Sequence, residues 1–78
     1  MVTVKKFSSQ QIILSCSQLT EHLIKNHIGD SVAIHTKLPS GITKVDFIDV
    51  SLINQTLSVV DSYTSEVITL SKYFQEAA

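Results

Sequence analysis

The sequence predicts an α+β domain in which an N-terminal helix packs on a small, strongly bent antiparallel β-sheet or partly open barrel. Apolar residues recur at helical spacing at Ile12, Cys16, Leu19 and Leu23. They then alternate as strands do, at Val32 and Ile34, Val45 and Phe47, Val50 and Leu52, Leu57 and Val59, and Ile68 and Leu70. The period changes between Ile28 and Asp30, around Gly29. Two turn signals, Pro39-Ser40-Gly41 and Ile53-Asn54-Gln55-Thr56, divide the second half. The 78 residues suit a single domain, with a helix over about residues 9–28 and a β-meander over about residues 31–70.

Along the chain, Val2 and Val4 alternate with Thr3 and Lys5, the pattern of either a short first strand or an ordered arm. Ser8 and Gln11 have the spacing of a capping box, which starts the helix near Ser9. Ile13, Ile24 and Ile28 widen its apolar stripe on one flank. A rival reading makes the contiguous Ile12, Ile13 and Leu14 part of a strand over residues 11–16 and starts the helix at Ser17 or Thr20. The long helix is preferred. Gly29 suits the left-handed position that closes a helix, with Lys25 and His27 in the last turn.

Residues 30–38 read as a strand with Val32 and Ile34 inward. From Ile42 to Leu52 the apolar parity changes, so that a bulge lies near Phe47 and Ile48 or one strand serves two faces. Strands follow over residues 56–60 and 66–70, and Ser71 caps a last helical turn carrying Tyr73 and Phe74, or those aromatics sit on a final edge strand.

Composition narrows the function classes. The formal charge is −1, with no arginine, so a general nucleic-acid footprint is missing. Charged residues make up only 17 % and apolar residues 44 %, which leaves few solvated groups to keep apolar faces apart and favours a homo-oligomer or a protein partner. A single cysteine, Cys16, implies no internal disulfide and a reducing compartment, and its place in the stripe implies a buried, inert thiol. The first residues lack the apolar core of a signal peptide, and no run is long enough to span a bilayer, so a cytoplasmic protein without membrane contact is expected.

Catalytic and metal chemistry find little support. His22 and His27 stand about 140° apart around a helix, and His35 lies on another element, so no metal site is expected. Asp46 and Asp49 project to opposite faces of a strand unless a bulge realigns them. No nucleophile elbow and no phosphate-cradling glycine loop is present, so no catalytic residue and no cofactor is assigned.

The order of elements resembles a small Sm-like or SH3-like barrel. The stretch Val45-Asp46-Phe47-Ile48-Asp49-Val50-Ser51-Leu52-Ile53-Asn54-Gln55-Thr56-Leu57-Ser58-Val59 is similar to the bent hairpin of YolD-like proteins, and the likeness spans about residues 30–70. The resemblance implies a bacterial or phage-associated (mobile-element) small barrel. Sm proteins carry a second glycine in the long strand and a basic-glycine pair near the last hairpin; neither is present, so RNA binding does not follow from it. The expectation is a non-catalytic protein-interaction or regulatory module, with Ile13, Ile24, Ile28, Tyr73 and Phe74 as interface residues. The alternative is nucleic-acid binding by Lys5, Lys6, Lys37 and Lys44 around the barrel mouth.

Overall fold

The computed structural model describes residues 1–78. The elements are β1 (Val2–Lys6), β2 (Ser9–Ile13), α1 (Cys16–Asn26), β3 (Ser31–Lys37), β4 (Thr43–Ile53), β5 (Thr56–Asp61) and α2 (Ser71–Ala77). The five strands form one antiparallel sheet in the order β2-β1-β3-β4-β5. It is open: β2 and β5 are its two edges and do not pair with each other. Both the N-terminal helix and the barrel expected from the sequence are therefore corrected. A hairpin precedes α1, and the sheet does not close.

The hairpin displaces the helix because Val2 and Val4 do form a strand. Thr3 pairs with Ile12 and Val2 with Ile13, which draws Ser9–Ile13 into β2. The adjacent β-branched residues Ile12 and Ile13 suit that pleated partner better than a first helical turn. The helix begins where a second serine–glutamine pair, Ser15 and Gln18, offers the same spacing as Ser8 and Gln11. Ser15 Oγ accepts from the Gln18 amide at 3.2 Å, and Gln18 Oε1 accepts from the Leu14 amide at 2.6 Å. The strand alternative for residues 11–16 comes nearer, although it starts the helix one residue or more late.

Since β2 and β3 are both antiparallel to β1, they run the same way, and α1 is the crossover between them. His27 caps α1, and Gly29 follows at φ +84, the left-handed region expected of it. Gly41, at φ +91, closes the β3–β4 turn. Asn54 and Gln55, both at positive φ, make the two-residue β4–β5 turn between the paired Ile53 and Thr56.

Strand β4 is the spine of the sheet. Its eleven residues reach about 34 Å at about 3.4 Å per step, against a longest molecular extent of 38 Å. Its first part pairs with β3 through Asp49, and its last part with β5 from Ile48 onward. The register runs through Phe47 and Ile48 without a bulge, so one strand serves two faces. The strand expected over residues 66–70 reduces to a single bridge between Val60 and Val67.

One face of the sheet carries the core. Val2, Val4, Ile13, Val32, Ile34, Ile48, Val50 and Val59 pack there with Leu19 and Leu23 of α1 and Tyr73 of α2. Two ion pairs tie α2 to β4, Lys72 to Asp46 at 3.3 Å and Lys44 to Glu76 at 2.8 Å. Ser71 is the first residue of α2 and makes no side-chain cap. Because Ser15 rather than Ser8 caps α1, Ser15→Ala is expected to lower stability by about 1 kcal/mol. Ser8→Ala should change it by less than about 0.5 kcal/mol, as denaturant midpoints of the two variants would measure.

Candidate interaction surface

The alternation that points even-numbered residues of β4 into the core points odd-numbered ones to the other side, where no helix lies. Register places the side chains on this bare face in rows across the strands. Gln10, Lys5, Ala33 and Phe47 share one row, and Ile12, Thr3, His35 and Val45 the next. Lys37 and Thr43 stand beyond the second row, and Ser31, Asp49 and Val60 beyond the first. Ile12, Val45 and Phe47 remain 45 %, 43 % and 46 % exposed. That is apolar area on a strand scaffold that no helix covers.

Local structure sharpens one side of the face. The Asp61 carboxylate accepts from the Tyr63 and Thr64 amides at 2.8 and 3.0 Å, which folds the loop after β5 back toward the sheet. Those amides hold the Asp61 carboxyl below the usual carboxylate range. Tyr63 thereby meets Phe47 edge to face, ring centroids 6.0 Å apart. At the tip of the first hairpin Phe7 is 96 % exposed and sits at φ +52, a conformation bulky side chains avoid. A shallow groove of about 360 Å³ runs between Lys5, Phe7, Ala33, His35 and Phe47.

The charges divide by face. Four of the six lysines have acid partners within the chain: Lys6 with Asp30, Lys25 with Glu21, Lys44 with Glu76 and Lys72 with Asp46. The two without one, Lys5 and Lys37, both lie on the bare face. Asp49 lies there too, and Ser31 and Ser62 both donate to its Oδ1, at 2.6 and 2.7 Å. Those two hydrogen bonds hold its pKa below the usual carboxylate range. His35 sits between the two lysines, and burial, followed by the Lys5 charge, holds its pKa below that of a free imidazole.

The five residues expected at an interface do not share a surface. Ile13 is 3 % exposed and belongs to β2 rather than the helix, so it is core. Tyr73 is buried as well, and its phenol oxygen has no hydrogen-bond partner. Burial, and then the nearby Asp46 carboxylate, raise its pKa above the usual phenol range. Phe74 packs against the core, while Ile24 and Ile28 are exposed. Lys6 and Lys44 are held in their ion pairs, which leaves Lys5 and Lys37 as the unpaired cations of the four expected at a barrel mouth. The residues sequence reasoning missed are Ile12, Ala33, His35, Val45 and Phe47. The parity change within β4 was the signal that pointed to the last two.

The serine hydroxyls at Asp49 donate to a carboxylate held in its charged form, and Cys16 is half-buried at the start of α1 rather than fully enclosed. Because His27 leaves the helical path, its ring does reach His22, centroids 5.1 Å apart. The contact is edge to face, and His27 Nδ1 is spent on Asp30 at 3.3 Å. No group of three or more His, Cys, Asp or Glu side chains is placed to hold a metal ion, and no helix is long and apolar enough to cross a membrane. No protein-family model matches the chain, nor does any curated protein or solved structure.

The lowered His35 value has a consequence for stability. In the unfolded chain this imidazole titrates at about pH 6.5, so as pH falls from there through its lower folded value the unfolded state binds more protons and stability falls. His22, lowered by burial and then by His27, adds a loss of the same sign. His35→Gln should lose less stability than the parent between about pH 7 and about pH 5, measured by urea midpoints. Equal losses would contradict the assignment.

Proposed function

We propose that the protein is a small non-catalytic interaction module that works by self-association, two copies meeting through the bare faces of their sheets. The observation that carries this reading is the uncovered face itself, with Val45 and Phe47 exposed next to each other on β4 and Ile12 exposed on β2, in the Val45 row beyond His35 and Thr3. A sheet face of this kind is stably buried by a second sheet about 10 Å away. A chain this short also gains more than most from association, because its own core is small and binding to the folded form stabilises it by mass action. The rim is polar, with Lys37, Thr43 and Gln10, as interfaces that form and dissociate usually are.

A second reading is favoured by one observation, that both unpaired lysines flank His35 on a face that also exposes Phe47 and Tyr63. Aromatic rings beside cations suit stacking of single-stranded bases. With two lysines the contact would be weak, its affinity falling with a log–log salt slope of only about −1.4.

Sedimentation velocity across a concentration series separates these readings. Self-association predicts a dimer that Val45→Glu and Phe47→Glu convert to monomer with their circular dichroism unchanged, while Ile24→Glu, on the outer flank of α1, leaves the dimer intact. Dissociation by Ile24→Glu alone would move the interface to the helix. A monomer at every concentration, together with salt-sensitive binding of single-stranded RNA, would favour the second reading.

A further inference from the structure

We propose that the two copies meet with their strands antiparallel, about a two-fold axis that crosses the strands between the Phe47 and Val45 rows, so that Asp49 of each copy lies in the row opposite Lys37 of the other, one strand over and within reach of its long stem. The inference rests on the self-association reading and specifies its geometry. Same-face rows are about 6.8 Å apart along a strand, twice the rise per residue. Asp49 lies one row beyond Phe47, and Lys37 one row beyond Val45 and His35. The two charges therefore stand at equal distances, about 10 Å, on opposite sides of the midpoint between those rows. Rotation about an axis there carries each onto the other's row, while Phe47 of one copy comes over Val45 of its mate.

The chemistry of both groups suits this exchange. Lys37 is exposed and has no acid partner within its own chain, unlike the four lysines that do. Asp49 is positioned by Ser31 and Ser62, and since both hydroxyls donate to Oδ1, Oδ2 is left for a donor from outside. The opposite arrangement, with the axis along the strands between β3 and β4, would put Lys37 in the row of the other copy's Lys37 and Asp49 in the row of its Asp49. Like charges brought together at an interface repel, which selects against that register. Lys5 meets Thr3 and Ile12 of the second copy, and the length of its stem keeps its ammonium in water. A two-fold contact repeats each Asp49–Lys37 pair, so any change at either residue counts twice.

The test is a mixing experiment followed by sedimentation. Lys37→Glu alone sets a new carboxylate against Asp49 twice, and Asp49→Lys alone sets a new ammonium against Lys37 twice, so each variant should dimerise at least about ten-fold more weakly than the parent. Mixed in equal amounts, they should form a heterodimer close to parental affinity, because every facing pair is then opposite in sign. Recovery on mixing also demonstrates that both variants fold. Should Asp49→Lys fail to fold, Asp49→Asn retains an oxygen that accepts from both serines; mixed with Lys37→Glu, it should associate more tightly than Lys37→Glu does with itself. A parent that is monomeric throughout would defeat the self-association reading. A dimeric parent whose variants associate normally, or whose mixture recovers nothing, would overturn this geometry and leave self-association standing.

Discussion

The architecture depends on how β4 distributes its side chains. Its even positions, Ile48 and Val50 among them, enter the core, and its odd positions, Val45 and Phe47, face away from it. The chain has only two helices, of eleven and seven residues, to cover the resulting two apolar surfaces. Both serve the same one. The α1 crossover between β2 and β3 passes over β1 on the side where Leu19 and Leu23 meet Val2, Val4 and Ile34, and Tyr73 brings α2 to that side as well. The other face is left as sheet alone. An eleven-residue strand with apolar residues at both parities thus sets the fold's one large asymmetry.

Charge follows the same division. On the helical side, ion pairs act as clamps: Asp30 binds Lys6 from the first hairpin and His27 from the α1 cap, which fixes the hairpin to the end of the crossover. Lys6 first, and then His27, hold the Asp30 carboxyl below its usual range. Lys72 and Lys44 hold α2 down on β4, and Glu76 raises the Lys44 pKa in return. Exposed pairs of this kind contribute little stability individually. Their effect is to leave the opposite face with the uncompensated lysines and with a carboxylate already ordered by two serines.

Much of the second half was legible in the sequence. Its turns carry residues whose chemistry dictates them, Gly29 and Gly41 at positive φ and Asn54 in a two-residue hairpin, and between them the alternation of Val32 with Ile34 or of Leu57 with Val59 has one strand reading. The placement of Asp46 and Asp49 on opposite faces follows from the same period. The first half misled because Ile12, Cys16, Leu19 and Leu23 keep helical steps across a boundary between two elements. Ile12 belongs to a strand, and its spacing to Cys16 comes from the two-residue connection that follows Ile13. The duplicated serine–glutamine spacing then offered two starts for one helix, and only pairing with β1 decides between them. The residues of the bare face were missed for a related reason: exposure of a sheet face depends on where the helices land, which depends on tertiary packing rather than on any local pattern.

The central claim is that two apolar sets exist on one sheet and that only one is covered within the chain. Methyl resonances recorded with a soluble paramagnetic probe, over a dilution series, test it most directly. In dilute solution Val45 and Ile12 should broaden while Val32, Ile34, Ile48 and Val50 do not, and on concentration the first set should become protected. Protection of both sets at every dilution would mean that the sheet closes on itself, and broadening of the second set would mean that the helices cover the other side.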